Sequence, residues 1–131
     1  MTHDAFEKVS NVLGRMNRKI SVKLLSDSVF SKISEEKSPE GVICVAKHID
    51  KIHKIIKIKD EDIAELDYLK DKSVFILESV RDPGNMGTII RTAAAFGVDL
   101  LLISDDCADI YNSKTIRAAM GTLFHQNIMR I

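Results

Sequence analysis

The sequence contains few of the features that would place it outside the ordinary globular proteins. No apolar run approaches the roughly 20 residues that cross a membrane, and no signal peptide precedes the first amphipathic stretch. The two cysteines, Cys44 and Cys107, are far apart, so buried free thiols in a reducing compartment are expected rather than a disulfide or a metal site. With 45% hydrophobic and 29% charged residues, the 131-residue chain is predicted to be a folded cytoplasmic protein that does not enter membranes.

The charge balance and the aromatic content are not those of a typical nucleic-acid-binding protein. The 19 basic residues are matched by 19 acidic ones, and only 5% of the residues are aromatic, so stacking of splayed bases is not expected. The positive charge is nevertheless clustered, because residues 47–59 carry five lysines and a single acid. This lysine run is either a solvated strand edge or a basic rim for RNA phosphates, the latter formed by Lys51, Lys54 and Lys57.

Residues 74–103 have the pattern of one strand–loop–helix–strand unit. The apolar runs Val74–Leu77 and Leu100–Ile103 are typical of buried parallel strands, and Pro83 ends the first of them. In an open parallel sheet, ligands bind outside the carboxyl ends of the strands. The loop of residues 78–87 is therefore the predicted functional site.

The helix after this loop carries the residues with the clearest chemistry. Asn85 is predicted to cap a helix that begins at about Met86, and Gly97 suits the left-handed position that ends it. Arg91 is expected within the first two turns, close to the loop. Helical spacing predicts that the apolar face consists of Ile89, Ala93 and Phe96.

The same patterns predict the rest of the chain. We predict a helix at residues 4–17, a short helix that starts near Ser26 or Asp27, and a helix that is capped by Asn112 or Ser113. Strands are predicted at residues 20–25 and 42–47. The inward face of the last helix should consist of Ile116, Ala119, Met120 and Leu123. Residues 48–59 fit either a strand or a helix. Residues 60–72 are expected to form a helix or linker that contains the domain boundary.

Two ordered motifs identify a family. Residues 78–99, with ESVRDPGNMG followed by RTA and FGVD, closely resemble the first motif of the SpoU-type RNA ribose methyltransferases. Residues 111–124, with YNSK and RAAMGTLF, look like that family's second motif. Residues 38–46, SPEGVICVA, are similar to the end of the small substrate-binding domain that often precedes the catalytic one. Two motifs in the expected order are far more specific than one glycine-rich loop.

The resemblance implies an α/β fold that is only partly present. Residues 69–131 would be the Rossmann-like, parallel-sheet half of a trefoil-knot methyltransferase domain, and residues 1–68 part of a small α/β RNA substrate-binding domain with its linker. Family members continue past the second motif with segments that form the knot and most of the S-adenosylmethionine pocket. We therefore expect the 131-residue chain, truncated before the third motif, to be inactive alone and not to bind the cofactor. The full-length member is expected to be a homodimer.

The resemblance also assigns roles to individual residues. The activity would be methyl transfer from S-adenosylmethionine to a ribose 2′-hydroxyl of rRNA or tRNA, with Arg91 and Asn85 catalytic and Arg81 and Arg117 binding RNA. An arginine has a pKa above about 12 and is a poor base alone, so clamping a phosphate is the physically easier role for Arg91. The alternative for Arg91 is a helix-surface salt bridge, for Asn85 pure helix capping, and for Arg117 a solvated surface position.

Other function classes remain open at this stage. The chain could be a non-catalytic RNA-binding module that uses the lysine run and the exposed strand ends. It could also belong to a nucleotide-binding α/β protein in which Gly84–Gly87 cradles a phosphate at a helix N-terminus. The second alternative is weaker, because the sequence has no Gly-Lys-Ser/Thr segment and no full Gly-x-Gly-x-x-Gly pattern.

Overall fold

The structure is a computed structural model that describes residues 1–16, 20–36, 38–48 and 69–131, together with the backbone of Lys54–Ile55. The chain divides into two compact units, residues 1–47 and 48–131. This division precedes the predicted domain boundary at residues 68 and 69. Because residues 56–68 lie outside the described part, the predicted boundary stays a prediction. Within the described ranges, no helix has the length and apolar character that a membrane crossing requires.

The second unit is built on a parallel sheet, as predicted. Its strands are β1 (Lys54–Ile55), β2 (Val74–Leu77), β3 (Leu100–Ile103) and β4 (Ile128–Arg130), in the spatial order β1-β4-β3-β2. All three strand pairs are parallel. Every residue of β3 is buried, which explains its continuous apolar sequence. The predicted α/β class with a parallel sheet is confirmed.

The helices of the second unit follow β2 and β3 in the sequence. They are α3 (Pro83–Ala95), α4 (Ser113–Ala118) and a short 3-10 helix (Thr122–Phe124). The core contains Met86, Ile90 and Ala93 of α3 together with Leu101 and Ile103 of β3.

The predicted apolar face of α3 was partly wrong. Ala93 is buried, but Ile89 is only partly buried and Phe96 is 82% exposed. Met86, Ile90 and Ala93 have the same helical spacing as the predicted set, so periodicity alone could not choose between them. The buried face also contains Gly87.

The predicted inward face of α4 was also partly wrong. Ala119 and Leu123 are buried and Ile116 packs against the core, but Met120 is 72% exposed. The helix ends at Ala118, and Met120 takes a positive φ of 52°, which turns its side chain out of the helical register. The predicted cap is confirmed, since the Asn112 side chain accepts a hydrogen bond from the backbone N–H of Lys114 at 2.9 Å.

The first unit contains α1 (His3–Arg15) and α2 (Asp27–Ile33), close to the predicted helices. The strands predicted at residues 20–25 and 42–47 do not form. A strand needs a hydrogen-bonded neighbour, and the backbone bonds of the first segment run to the terminal residue instead: the N–H of Leu25 donates to the carbonyl of Met1 at 2.9 Å.

The two cysteines differ in their environment. Cys107 is a buried free thiol, as predicted, whereas Cys44 is free but exposed, so the prediction that it is buried was wrong.

Candidate functional site

Two loops meet at the carboxyl ends of neighbouring strands. The β2 loop (residues 78–82) follows β2, and the β3 loop (residues 104–112) follows β3. Backbone hydrogen bonds join them: Ser104 N–H donates to Leu77 O at 3.0 Å, and Ala108 N–H donates to Val80 O at 2.8 Å. The two loops therefore form one edge of the second unit, at the position where parallel sheets bind ligands.

Asp106 of the β3 loop is the centre of a hydrogen-bond network that reaches the β2 loop. Its Oδ2 accepts from Ser79 Oγ at 2.5 Å and from an Arg81 guanidinium nitrogen at 3.1 Å. Its Oδ1 accepts from Ser104 Oγ at 2.6 Å, and that hydroxyl in turn accepts the backbone N–H of Ser79 at 3.0 Å. The hydroxyls of Ser104 and Ser79, followed by Arg81, hold the pKa of Asp106 far below its usual range. Sequence reasoning missed this network, although an acid two residues after a strand-end serine is a visible signal.

The start of α3 differs from the prediction. The helix begins at Pro83, and its cap is Asp82, whose Oδ1 accepts the backbone N–H of Asn85 at 2.7 Å. The prediction that Asn85 caps the helix was wrong, because Pro83 suits the first helical position and places the cap one residue before it. The Asn85 side chain is exposed and makes no hydrogen bond within the described residues, so its amide can contact a substrate.

The cap also joins the two motifs. Lys114 Nζ lies 3.4 Å from Asp82 Oδ2, and both side chains are about half exposed, at 58% and 49%. The backbone N–H of Asn85, and then the charge of Lys114, lower the pKa of Asp82. The carboxylate therefore stays charged and links the N-terminus of α3 to α4.

Arg91 is exposed and lies farther along α3 than predicted. It stands eight residues after Pro83, in the third turn, about 12 Å from the helix start at about 1.5 Å per residue. Helical spacing places it on one face with Gly84 and Thr88. Within the described residues its side chain has no ion pair or hydrogen bond, so the alternative of a helix-surface salt bridge has no support there.

The other predicted RNA-binding residues are spread over the second unit. The Arg81 side chain is 77% exposed beside Asp106, and Arg117 is exposed in the last turn of α4. Lys51 and Lys57 lie outside the described residues, and for Lys54 only the backbone is described, in β1 at an edge of the sheet. The lysine run therefore stays a prediction.

Gly87 is a packing glycine. A Cβ atom at this position would collide with the backbone carbonyl of Thr115 and lie only 2.6 Å from Ala118 Cβ, so α3 and α4 can approach this closely only without a side chain there. The exposed turn that would cradle a nucleotide phosphate is therefore not formed at Gly87. The alternative in which Gly84–Gly87 cradles a nucleotide phosphate therefore has no support from Gly87.

Some of the polar groups at the strand ends are already engaged within the described residues. The hydroxyl and carboxylate groups of Ser79, Ser104 and Asp106 are bonded to one another, so we assign none of them to S-adenosylmethionine. Over the same ranges, no group of three or more His, Cys, Asp or Glu side chains could hold a metal ion. The expectation that the chain alone does not bind the cofactor stays a prediction.

Comparison with known proteins places this geometry in a family. Residues 72–131 match the model of the SpoU rRNA methylase family. The chain is 33% identical over 111 residues to the 23S rRNA (guanosine(2553)-2′-O)-methyltransferase RlmP of Bacillus subtilis, covering 85% of this chain and 39% of that protein. It is 34% identical over 109 residues to rRNA methyltransferase 3A, mitochondrial, of Danio rerio, covering 79% of this chain and 20% of that protein.

A solved structure agrees with these relatives. The AdoMet-bound rRNA methyltransferase from Sinorhizobium meliloti superimposes with a TM-score of 0.60 at 27% identity, over 98% of this chain and 45% of that chain. The chain thus spans less than half the length of the relatives that it matches. Residues 72–131, which carry both motifs on the parallel sheet, thus belong to the SpoU rRNA methylase family.

Proposed function

We propose that the full-length protein transfers a methyl group from S-adenosylmethionine to a ribose 2′-hydroxyl of ribosomal RNA. The observation that carries the proposal is the exposed Arg91 in the third turn of α3, which has no hydrogen bond or ion pair within the described residues. Ribosomal RNA is the proposed substrate because the relatives are named as rRNA methyltransferases. The same names disfavour a non-catalytic RNA-binding module.

The residues of this chain act on the RNA side of the reaction. S-adenosylmethionine supplies an electrophilic methyl group. The ribose oxygen forms the new bond to carbon as the carbon–sulfur bond breaks, and the hydroxyl proton leaves to an RNA phosphate oxygen or to water. Because its guanidinium stays charged, Arg91 clamps the phosphate next to the reacting ribose and keeps that phosphate oxygen within reach of the proton. Asn85 can orient the nucleotide through its exposed amide.

Replacing Arg91 tests this assignment. In the full-length protein, Arg91→Ala should lower kcat for transfer of radiolabelled methyl to bacterial 23S rRNA roughly a hundredfold, the scale expected when a positioning group is removed. Affinity for S-adenosylmethionine, measured by calorimetry, should hardly change. Thr92→Ala, which alters the next exposed position of α3, is the matched control and should keep the wild-type rate. A near-normal single-turnover rate for Arg91→Ala would show that the residue is structural, and no transfer by the wild type to any ribosomal RNA would overturn the proposed function.

The proposal extends to the assembly and the compartment. We propose a cytoplasmic homodimer, as the family resemblance implies. Large apolar side chains near the C-terminal ends of α3 and α4 are exposed, at 82% for Phe96, 72% for Met120 and 56% for Phe124, and a partner subunit would cover such groups. Light scattering of the full-length protein should give the mass of two chains; the mass of one chain would contradict the dimer.

A further inference from the structure

The β2 loop has a backbone conformation that needs support from outside the loop. Ser79 takes a φ of 55°, a left-handed conformation that a serine adopts only when its surroundings hold it. Both the hydroxyl and the backbone N–H of Ser79 are engaged by the β3 loop, the first by Asp106 and the second by Ser104. The network centred on Asp106 therefore holds Ser79 in this conformation, in addition to the backbone bond from Ala108 to Val80.

Arg81 receives its orientation from the same carboxylate. One guanidinium nitrogen donates to Asp106 Oδ2 at 3.1 Å, and the side chain is otherwise 77% exposed. A guanidinium has several N–H donors in a rigid plane, so fixing one edge on a carboxylate leaves another edge directed at solvent. A planar, preoriented guanidinium is the group that best matches a phosphate through two parallel hydrogen bonds.

We propose that Asp106 is a positioning residue for RNA binding, which holds Ser79 and Arg81 so that Arg81 presents its outer edge to an RNA phosphate. This inference rests on the proposed function, since it assumes that RNA is the ligand at the strand ends. Asp106 itself does not contact the RNA. It acts through Arg81.

The direction in which one substitution changes RNA affinity distinguishes a positioning role of Asp106 from a purely electrostatic one. Asp106 carries a negative charge beside the proposed phosphate contact, so its removal should tighten RNA binding if charge were its only effect. If Asp106 positions Arg81, the substitution Asp106→Asn should weaken binding instead, because an amide cannot accept all of the hydrogen bonds that the carboxylate accepts. Asp105 is an exposed acid next in sequence with no hydrogen bond or ion pair among the described residues. Asp105→Asn is therefore the matched control.

The experiment measures the affinity of the full-length protein for a fluorescently labelled fragment of bacterial 23S rRNA at several salt concentrations. Asp106→Asn should weaken binding roughly threefold to tenfold, the range expected for the net contribution of one ordinary hydrogen bond. The magnitude of its salt slope should fall by about 0.7 to 0.9, since one fewer RNA phosphate is neutralised. Asp105→Asn should bind as well as wild type or slightly better. KM for RNA should rise for Asp106→Asn, while kcat should stay within about twofold, as expected when uniform binding is weakened.

Two further variants exclude a general loss of structure. Ser79→Ala keeps every charge and removes one bond to Asp106, so it should weaken binding in the same direction by a smaller factor. In an Arg81→Gln background, Asp106→Asn should have no further weakening effect, because the positioned group is already gone.

The outcomes are distinct. Tighter binding by Asp106→Asn, matching that of Asp105→Asn, would overturn the positioning role and leave the proposed function standing. Equal weakening by Asp106→Asn with and without Arg81 would also overturn it, since the carboxylate would then act on the fold as a whole. A wild-type protein that binds the rRNA but transfers no methyl group would overturn the proposed activity and not the role of Asp106.

Discussion

Asp82 performs two tasks with one carboxylate. One oxygen caps α3 by accepting the N–H of Asn85, and the other faces Lys114 of the second motif. The capping bond satisfies an N–H group that the helix itself cannot satisfy, and the ion pair joins segments about thirty residues apart in the chain. The capping N–H and the charge of Lys114 both favour the ionised carboxylate, which is why the pKa of Asp82 is lowered.

The lowered pKa of Asp82 makes a prediction about stability and pH. The carboxylate stabilises the fold above the pKa of the unfolded chain, about 3.9, and this contribution disappears as the pH falls through the lower folded-state value. Asp82→Asn keeps a capping side chain but loses the charge, so it should be less stable than wild type at about pH 7 and approach wild type as the pH falls below the pKa of the unfolded chain.

Urea unfolding at a series of pH values checks this prediction. Asp71→Asn is a suitable control, because Asp71 is an exposed acid of the same unit, away from the cap. The difference in unfolding free energy between Asp71→Asn and wild type should not disappear over the pH range in which that of Asp82→Asn does. A stability difference for Asp82→Asn that stays constant down to acid pH would show that the charge of Asp82 does not contribute.

At the scale of secondary-structure elements, the contact between α3 and α4 determines how the two motifs meet. Gly87 allows the backbone carbonyl of Thr115 and the methyl group of Ala118 to approach α3 where any side chain would collide. The same contact leaves Lys114 within reach of Asp82 at the N-terminus of α3. Helix packing and the site are therefore two consequences of the same close approach.

Gly87→Ala should therefore destabilise the second unit by about 2 kcal/mol or more, the cost of overpacking against backbone that cannot move aside. Gly14→Ala is the matched control, because Gly14 lies inside α1 with no atom within 4 Å of the added methyl group. Alanine is favoured over glycine in a helix by up to about 1 kcal/mol, so this control should be neutral or stabilising. Thermal unfolding of both variants measures the difference. A wild-type melting temperature for Gly87→Ala would mean that α4 can shift away without loss.

The elements show where sequence reasoning succeeds. The strands β2 and β3, the helix end at Gly97 and the cap at Asn112 were predicted, because each depends on local backbone chemistry or on a continuous apolar run. The face of α3 was misassigned because two residue sets had equal spacing, and only the packing of Gly87 against α4 distinguishes them. The cap at Asp82 was missed because Asn85 has the same propensity for caps. The Asp106 network depends on two strand ends lying side by side, which no local pattern specifies.

At the scale of the whole molecule, the described residues of the lysine run from His48 onwards contact elements of the second unit. The His48 ring, at the start of the run, stacks on Tyr111 of the β3 loop with centroids 4.2 Å apart and an angle of 12°. Lys54 lies in β1, which pairs with β4 at an edge of the sheet. The compact unit that contains Lys54 thus begins before the predicted domain boundary, which stays a prediction. Lysines on an edge strand also discourage pairing with other chains, so the solvated-edge interpretation has a physical basis as well.

Salt dependence of RNA binding decides between these interpretations. If the run binds phosphates, replacing Lys51, Lys54 and Lys57 with glutamine in the full-length protein should weaken 23S rRNA binding. The salt slope should then fall by at most about 0.9 for each phosphate that is no longer neutralised. The saturated rate of methyl transfer should hardly change, because such lysines bind substrate and transition state equally.

The matched control removes the same charge elsewhere. Lys8, Lys23 and Lys32 are exposed lysines of the first unit, so replacing all three with glutamine lowers the net charge equally. If only the first triple variant changes the salt slope, the effect is local to the lysine run, because a general change of net charge would act on both variants alike. Identical slopes for wild type and the Lys51, Lys54 and Lys57 variant would show that the run is a solvated strand edge. RNA binding would then depend on the arginines of the second unit.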